Sequence, residues 1–229
     1  KTQIRFEKRV VGRRHDLDGL GGYAKSWLAK IRFEQGRWEE ADRLADEALR
    51  HRDVMVIIPI TALCVRGRIR VRRGDPAAAA LLDEAWELAV KTTDLQRTWP
   101  VAAGRAERAW LAGRPWAVEE FVGATYQHAV ELGAPWAIAE LGFWLRRVGA
   151  LGPVAEPVRS FELHGAGDWR AAAEAWARLG CPYERAEALS EGDEASMRDA
   201  LDIFTGLHAD PAADMLREKM RRAGLKRVP

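Results

Sequence analysis

The sequence predicts an all-α fold, a superhelix of antiparallel helix hairpins. Three observations lead to this prediction: apolar residues recur at helical spacing, strand signals are nearly absent, and one phrase repeats along the chain. The phrase consists of a helix, a glycine turn and an alanine-rich helix. Its turn glycines lie 38, 39 and 54 residues apart, at Gly36, Gly74, Gly113 and Gly167. Such intervals are typical of helix-hairpin solenoids, which present an extended concave surface for binding.

The first two hairpins have the clearest signals. After Trp38, apolar residues follow at offsets of 3, 6, 7, 10 and 11, which places them on one stripe of a helix. Gly36 allows the left-handed turn that ends the preceding helix. Asp75 and Pro76 predict a helix start, because Asp caps free amides and Pro fits the first helical position. The predicted ranges are 23–35 and from 38 onward for the first hairpin, and 57–73 and 76–91 for the second.

The later helices follow the same signals. An extra helix over residues 135–148 accounts for the longest interval between turn glycines, and residues 149–157 are predicted to form a loop. The other predicted ranges are 98–112, 115–132, 158–165, 168–179, 182–189, 194–207 and 210–223. We therefore expect hairpins and an extra helix in residues 1–150. Residues 151–229 should hold further hairpins and a closing helix, continuous with the first part.

Small residues support the pairing of helices within each hairpin. When the phrases are aligned on the turn glycine, two positions are small in most copies, as close packing of two helices requires. Val118 departs from this pattern. The position seven residues before the glycine holds Ala29, Gly67, Ala106 and Ser160, and the position five residues after it holds Ala41, Ala79, Val118 and Ala172.

Composition limits the classes of protein that remain. The 229 residues carry a net charge of +2, and no segment approaches the ~20 apolar residues that a membrane-spanning helix needs. The charged start of the chain, residues 1–14, does not have the pattern of a signal peptide. Cys64 and Cys181 lack metal or redox spacing, so we expect two small, reduced core residues. A cytoplasmic location without membrane contact is the resulting expectation.

Motifs of catalysis are missing from the sequence. It contains no Gly-x-x-x-x-Gly-Lys-Ser/Thr loop, no Gly-x-Ser-x-Gly elbow and no His-Glu-x-x-His. The five histidines are scattered, with no pair at the spacing of helical metal ligands. We therefore predict no catalytic residue, no cofactor and no metal site, and the chain is not expected to be an enzyme.

Ten tryptophans in a helical chain need an explanation. Trp38, Trp116 and Trp169 follow the turn glycines closely, so we expect them to wedge between successive hairpins. Trp110 falls at a repeat position that usually faces the concave groove, where an aromatic ring could stack on a flat ligand. The remaining helical tryptophans are either core residues or, for Trp99 and Trp136, part of the groove.

The segment 66–73 holds five arginines that divide into two helical stripes. One stripe contains Arg66, Arg70 and Arg73, and the repeat alignment places the other, Arg68 and Arg72, on the concave face. Ion pairs on a solvated face are one interpretation, and a groove for an anionic ligand or peptide carboxylates is another. Direct DNA binding is disfavoured by the near-zero net charge. The candidate groove residues are Lys30, Glu34, Arg68, Arg72, Glu107 and Trp110.

Several phrases resemble the helical-repeat region of large LuxR-type transcriptional regulators, and the resemblance extends from about residue 16 to residue 229. They are GRWEEA at 36–41, RRGDP at 72–76, AERAWLAG at 106–113 and AWARLGCPYE at 175–184, with ALDIF at 200–204 and LKRVP at 225–229.

The resemblance implies a tetratricopeptide-like middle domain. In that family an ATPase domain precedes the repeats and a helix-turn-helix DNA-binding domain follows them. The chain is therefore expected to act with its own ATPase and helix-turn-helix domains and to sense a small-molecule inducer or a protein partner. It would not bind DNA directly. The alternative is a protein–protein scaffold or homodimerisation module without a small ligand.

Overall fold

The computed structural model describes residues 19–152 and 159–225. All regular structure in these residues is helical, as predicted, and none of it is strand. Helix α1 covers residues 19–34. The helices that follow are α2 (Trp38–Leu49), α3 (Ile57–Arg73), α4 (Ala78–Val90), α5 (Leu95–Leu111), a 3-10 turn (Pro115–Ala117), α6 (Val118–Glu131), α7 (Pro135–Arg147), α8 (Ser160–Gly165), α9 (Trp169–Leu179), α10 (Pro182–Leu189), α11 (Glu194–Gly206) and α12 (Asp210–Arg222).

Most predicted helix ranges agree with these bounds to within about three residues, but one start signal was misplaced. Helix α4 begins at Ala78 rather than at Pro76. Asp75 caps a turn instead, because its carboxylate accepts a hydrogen bond from the Ala77 amide at 2.8 Å. Part of the predicted loop 149–157 and the first residue of the predicted helix 158–165 lie outside the described residues. No described helix is both long enough and apolar enough to cross a membrane.

Helices α3, α5 and α7 form a row, which we call the inner row, and the last described helix folds back against it. Consecutive helices pack on one another, and α5 also contacts both α3 and α7, so these three helices lie side by side. The last helix, α12, packs back against α3 and α5. The end of the chain therefore covers part of the inner row instead of extending away from it.

One hydrophobic core joins helices α1 and α2 to the C-terminal helices α9 to α12. The indole of Trp38 lies 5.9 Å, centroid to centroid, from the ring of Tyr183. Gly36 has a φ of +73°, and a Cβ on it would lie 2.7 Å from Pro182 Cγ and 2.9 Å from Leu207 Cδ2. Glycine is thus required here both for the turn and for the close approach of the C-terminal helices.

The predicted small positions lie where helices approach closely, with one shift in register. Gly67 allows Leu82 of α4 to come near, since a Cβ there would lie 2.7 Å from Leu82 Cγ. In the second hairpin Ala78 is buried and Ala79 only half-buried, because α4 starts later than predicted. Val118 is fully buried despite its larger side chain. The other small positions, all buried, are Ala29, Ala41, Ala106, Ser160 and Ala172.

The three turn tryptophans have different environments. Trp38 is buried, with the guanidinium of Arg72 from α3 on one side and Tyr183 from α10 on another. Trp169 is half-buried against Gly192. Trp116 is 75% exposed, so the expectation of a wedge is wrong at this position.

Candidate ligand-binding site

A network of ion pairs connects the inner row to the C-terminal helices. Glu107 of α5 accepts hydrogen bonds from Arg68 Nε at 2.8 Å and from Arg72 Nε at 2.7 Å. Arg68 also donates to Glu140 of α7 at 3.2 Å, and Arg72 donates to Glu184 of α10 at 2.7 Å. The two arginines lie one turn apart on α3, which is why they reach the same carboxylate.

The centre of this network is shielded from water. The side chains of Arg72 and Glu107 are each 1% exposed. Burial opposes ionisation of Glu107, but the two guanidinium groups outweigh it and hold the pKa of this carboxyl below its usual value. The carboxylates of Glu107 and Glu184 raise the pKa of Arg72 against the effect of burial, so the arginine remains charged.

Glu184 accepts hydrogen bonds from one arginine, whereas Glu107 accepts them from two. Burial raises the pKa of Glu184, and the attraction of Arg72, with a smaller one from Arg68, does not fully compensate. Its Oε1 accepts from Arg72, whereas its buried Oε2 has no hydrogen-bond partner in the part of the chain that the structure describes. The Nη1 of Arg72 also lacks a partner among the described residues, and this guanidinium lies 3.6 Å from the centroid of the Tyr183 ring.

A cavity opens beside the network. Two lobes of about 340 and 430 Å³ share seven lining residues and therefore lie next to each other; we call them together the central cavity. This size suits a small organic ligand. The shared residues are Lys30, Phe33, Glu34, Arg68, Trp99, Pro100 and Trp136.

Each lobe adds a different wall to the shared residues. The smaller lobe adds Trp27 of α1 and apolar residues of α3. The larger lobe reaches the C-terminal helices, where Trp176 and Glu184 line it. A ligand in the central cavity would thus contact helices from both ends of the chain.

Polar groups in the cavity wall are mostly paired with each other. The indole N–H of Trp99 donates to Glu140 Oε2 at 2.6 Å. The ammonium of Lys30 lies 3.3 Å from Glu34 Oε1 and 5.5 Å from the Trp27 ring centroid. The wall therefore combines indole surfaces with few, fixed charges, as in many specific ligand sites.

The structure divides the predicted groove residues into three groups. Lys30, Glu34 and Arg68 line the central cavity. Arg72 and Glu107 do not lie on an open concave face, because the C-terminal helices cover them and their charges pair within the protein. This is a correction to the sequence-based groove.

Trp110 lies elsewhere. It lines a separate, more open cleft of about 970 Å³ together with Arg147 and residues of α12. The Arg147 guanidinium lies 4.5 Å from the centroid of the Trp110 ring. Trp110 and the cavity residues therefore do not form one groove.

Several residues of the cavity were not identified from the sequence. Trp27 was assigned to the core with other helical tryptophans, although its position three residues before Lys30 on α1 was a usable signal. Glu140 and Glu184 carry no local signal, since they lie 72 and 112 residues from the arginines they contact. Trp99 and Trp136, left open between core and groove, both line the cavity.

The thiols do not have the properties of nucleophiles. Burial raises the pKa of Cys64 to about 11 and that of Cys181 to about 12. Both cysteines are free and buried, as expected from their spacing. Thiols with such pKa values remain protonated at neutral pH and are unreactive. Within the described ranges, no group of three or more potential ligands is placed to hold a metal ion.

Comparisons with protein families, with curated proteins and with solved structures find no match to this chain.

Proposed function

We propose that the chain is a tetratricopeptide-like sensor domain of a LuxR-type regulator, and that the central cavity binds its small-molecule inducer. The proposal of a ligand site is supported by the central cavity itself. The cavity has the size of a small ligand and is lined by indole rings and a few paired charges. The assignment to a LuxR-type regulator rests on the sequence phrases that resemble that family.

The position of the cavity suggests how binding would be transmitted. Its wall includes residues of α1, α3, α5 and α7 and also Trp176 and Glu184 from the C-terminal helices. A ligand that contacts both sets would stabilise the arrangement in which the end of the chain covers the inner row. Differential affinity for two such arrangements is what allosteric coupling requires. The partners on which the coupling would act are the ATPase and helix-turn-helix domains, in the cytoplasm.

The first experiment is a thermal-shift screen of the chain against sugars, nucleotides, small acids and amines. A ligand present at about 100 times its Kd adds ~2.7 kcal/mol to the free energy of unfolding, which corresponds to a rise of roughly 5–10 °C in Tm. We expect at least one compound class to give such a dose-dependent rise. A folded, cooperative protein without any hit would contradict the sensor function. Concentration-dependent dimerisation in light scattering would then support the scaffold alternative.

The tripeptide Pro-Trp-Ala provides a matched pair of variants for this screen. It occurs at residues 115–117 and 135–137, and both tryptophans are exposed, at 75% for Trp116 and 59% for Trp136. Only Trp136 lines the central cavity. We expect Trp136→Leu to abolish the shift caused by a hit and Trp116→Leu to retain it. Charge reversal of Arg68 or Arg72 is unsuitable, because it would break buried ion pairs.

A further inference from the structure

The charges around the central cavity are not balanced. Three carboxylates, those of Glu107, Glu140 and Glu184, share two guanidinium groups, those of Arg68 and Arg72. In the described part of the chain these carboxylates form ion pairs with no other cation. The neighbouring charges cancel, because Lys30 pairs with Glu34 and Arg97 with Asp94. Among the described residues, one negative charge therefore remains at the cavity.

The excess charge has a definite acceptor atom. Both oxygens of Glu140 are occupied, one by Arg68 and the other by Trp99. Glu184 lines the larger lobe, is 7% exposed, and its Oε2 accepts no hydrogen bond from residues 19–152 or 159–225. An ionised carboxylate can only accept hydrogen bonds, and a buried one without a donor is costly. A ligand with a positively charged N–H group would supply the missing donor.

The cations near the cavity point to the same conclusion, because their charges are already paired with carboxylates. The Nε and Nη1 of Arg68 already donate to Glu107 and Glu140, and the ammonium of Lys30 is held by Glu34. The unpartnered Nη1 of Arg72 belongs to a guanidinium that lies against Tyr183 and does not line the cavity. An anionic ligand would thus find cations that are already neutralised, and would face the excess carboxylate.

The aromatic wall is suited to a cation as well. Trp27, Trp99 and Trp136 line the smaller lobe, and Trp176 lines the larger one. Indole faces attract ammonium groups, and cages of such rings recognise alkylated amines. The ammonium of Lys30, between Glu34 and the face of Trp27, shows that the wall accommodates this group.

We infer that the central cavity binds a small organic cation, an amine with a flat apolar body, whose ammonium group donates to Glu184 while its body packs between the tryptophans. This inference rests on the proposed ligand-sensing function and specifies the chemical class of the ligand.

The test uses three probes of similar size that differ in charge: phenethylammonium, 2-phenylethanol and 3-phenylpropionate. Their affinities for the wild-type chain are measured by titration calorimetry at neutral pH. Because a charge-assisted hydrogen bond and a cation–π contact each contribute on the order of 1 kcal/mol or more, we expect the cation to bind at least ~10-fold more tightly than the alcohol. The carboxylate should bind most weakly.

Two variants connect this preference to specific residues. Glu184→Gln should weaken binding of phenethylammonium about tenfold, the loss of one charge-assisted hydrogen bond. It should weaken binding of the alcohol less, because the Gln amide oxygen still accepts a hydrogen bond from a neutral hydroxyl. Lys30→Met removes a competing ammonium from the rim, so it should strengthen binding of the cation. Lys30 is half-exposed, so this variant tests the inference even if Glu184→Gln does not fold. Trp116→Leu is the control and should bind all probes as the wild type does.

The outcomes separate the ligand class from the function. Equal or tighter binding of the alcohol or the carboxylate would overturn the cation preference, as would failure of phenethylammonium to bind at millimolar concentration. The sensor function would survive either result if the thermal-shift screen gave a hit of another class that Trp136→Leu abolished. If no compound in the screen binds, both proposals fail together.

Discussion

Helix α3 presents two arginine stripes with the same local chemistry and opposite environments. On the outer side, Asp42 of α2 accepts hydrogen bonds from Arg66 at 3.0 Å and from Arg70 at 2.8 Å. On the inner side, Glu107 of α5 accepts from Arg68 and Arg72 in the same manner. In both cases one carboxylate connects two arginines that lie one turn apart.

The difference between the two sites is access to water. The Asp42 side chain is 31% exposed, whereas that of Glu107 is 1% exposed. Removing one partner of a buried pair leaves a charge that water cannot reach, while an exposed arginine is simply rehydrated. The two stripes therefore show that the arrangement of an ion pair does not by itself determine how much stability depends on it.

The largest expected effect comes from Glu107→Gln. The variant leaves the buried guanidinium of Arg72 with Glu184 as its remaining carboxylate partner, and that of Arg68 with Glu140. Breaking a buried pair in this way costs about 3–5 kcal/mol of the free energy of unfolding. Urea denaturation at neutral pH measures the loss. A loss below ~1 kcal/mol would show that the network opens to water readily.

Acid should have the same effect as this substitution. Because the pKa of Glu107 is held below its usual value in the folded chain, its contribution to stability is present above the unfolded pKa of 4.5. That contribution is lost as the pH falls through the folded pKa. The difference in unfolding free energy between the wild type and Glu107→Gln should therefore shrink on acidification below pH 4.5.

Glu184→Gln should have a smaller effect with the opposite pH dependence. Burial raises the pKa of Glu184, so the folded chain holds this proton after the unfolded chain has released it. The wild type should therefore lose stability relative to the variant as the pH rises from 4.5 through the raised pKa. Denaturation curves of the two proteins across this range measure the effect. A difference in unfolding free energy that is independent of pH would mean that the pKa of Glu184 is not raised in the folded chain.

The separation of the two stripes was predictable from the sequence, but their burial was not. Helical spacing alone assigns Arg68 and Arg72 to one face of α3, and the turn glycines predict the ends of four helices, α1, α3, α5 and α8. Burial of this face depends on α10 and α12, which return to the inner row from more than a hundred residues away. No local pattern encodes such a contact.

The turn tryptophans also show that burial depends on contacts that are distant in the sequence. Trp38 and Trp116 follow turn glycines at nearly the same distance, so the sequence predicts the same role for both. Between the two, and among the described residues, it is Trp38 that has a C-terminal ring, that of Tyr183, packed against it. The glycine spacing predicts equivalent positions for these residues, and the returning helices determine which of these positions become core.

The smallest expected effect belongs to Asp42→Asn, the outer counterpart of Glu107→Gln. Arg66 retains Asp46, whose Oδ1 lies 2.9 Å from its Nη1, and Arg70 is half-exposed and can be hydrated. The free energy of unfolding should fall by only about 0.2–1 kcal/mol. Most of this loss should disappear at ~1 M salt, where the screening length is about 3 Å, whereas the loss in Glu107→Gln should persist because salt does not enter the buried site. Equal losses and equal salt dependence in the two variants would mean that the inner stripe is as accessible to water as the outer one.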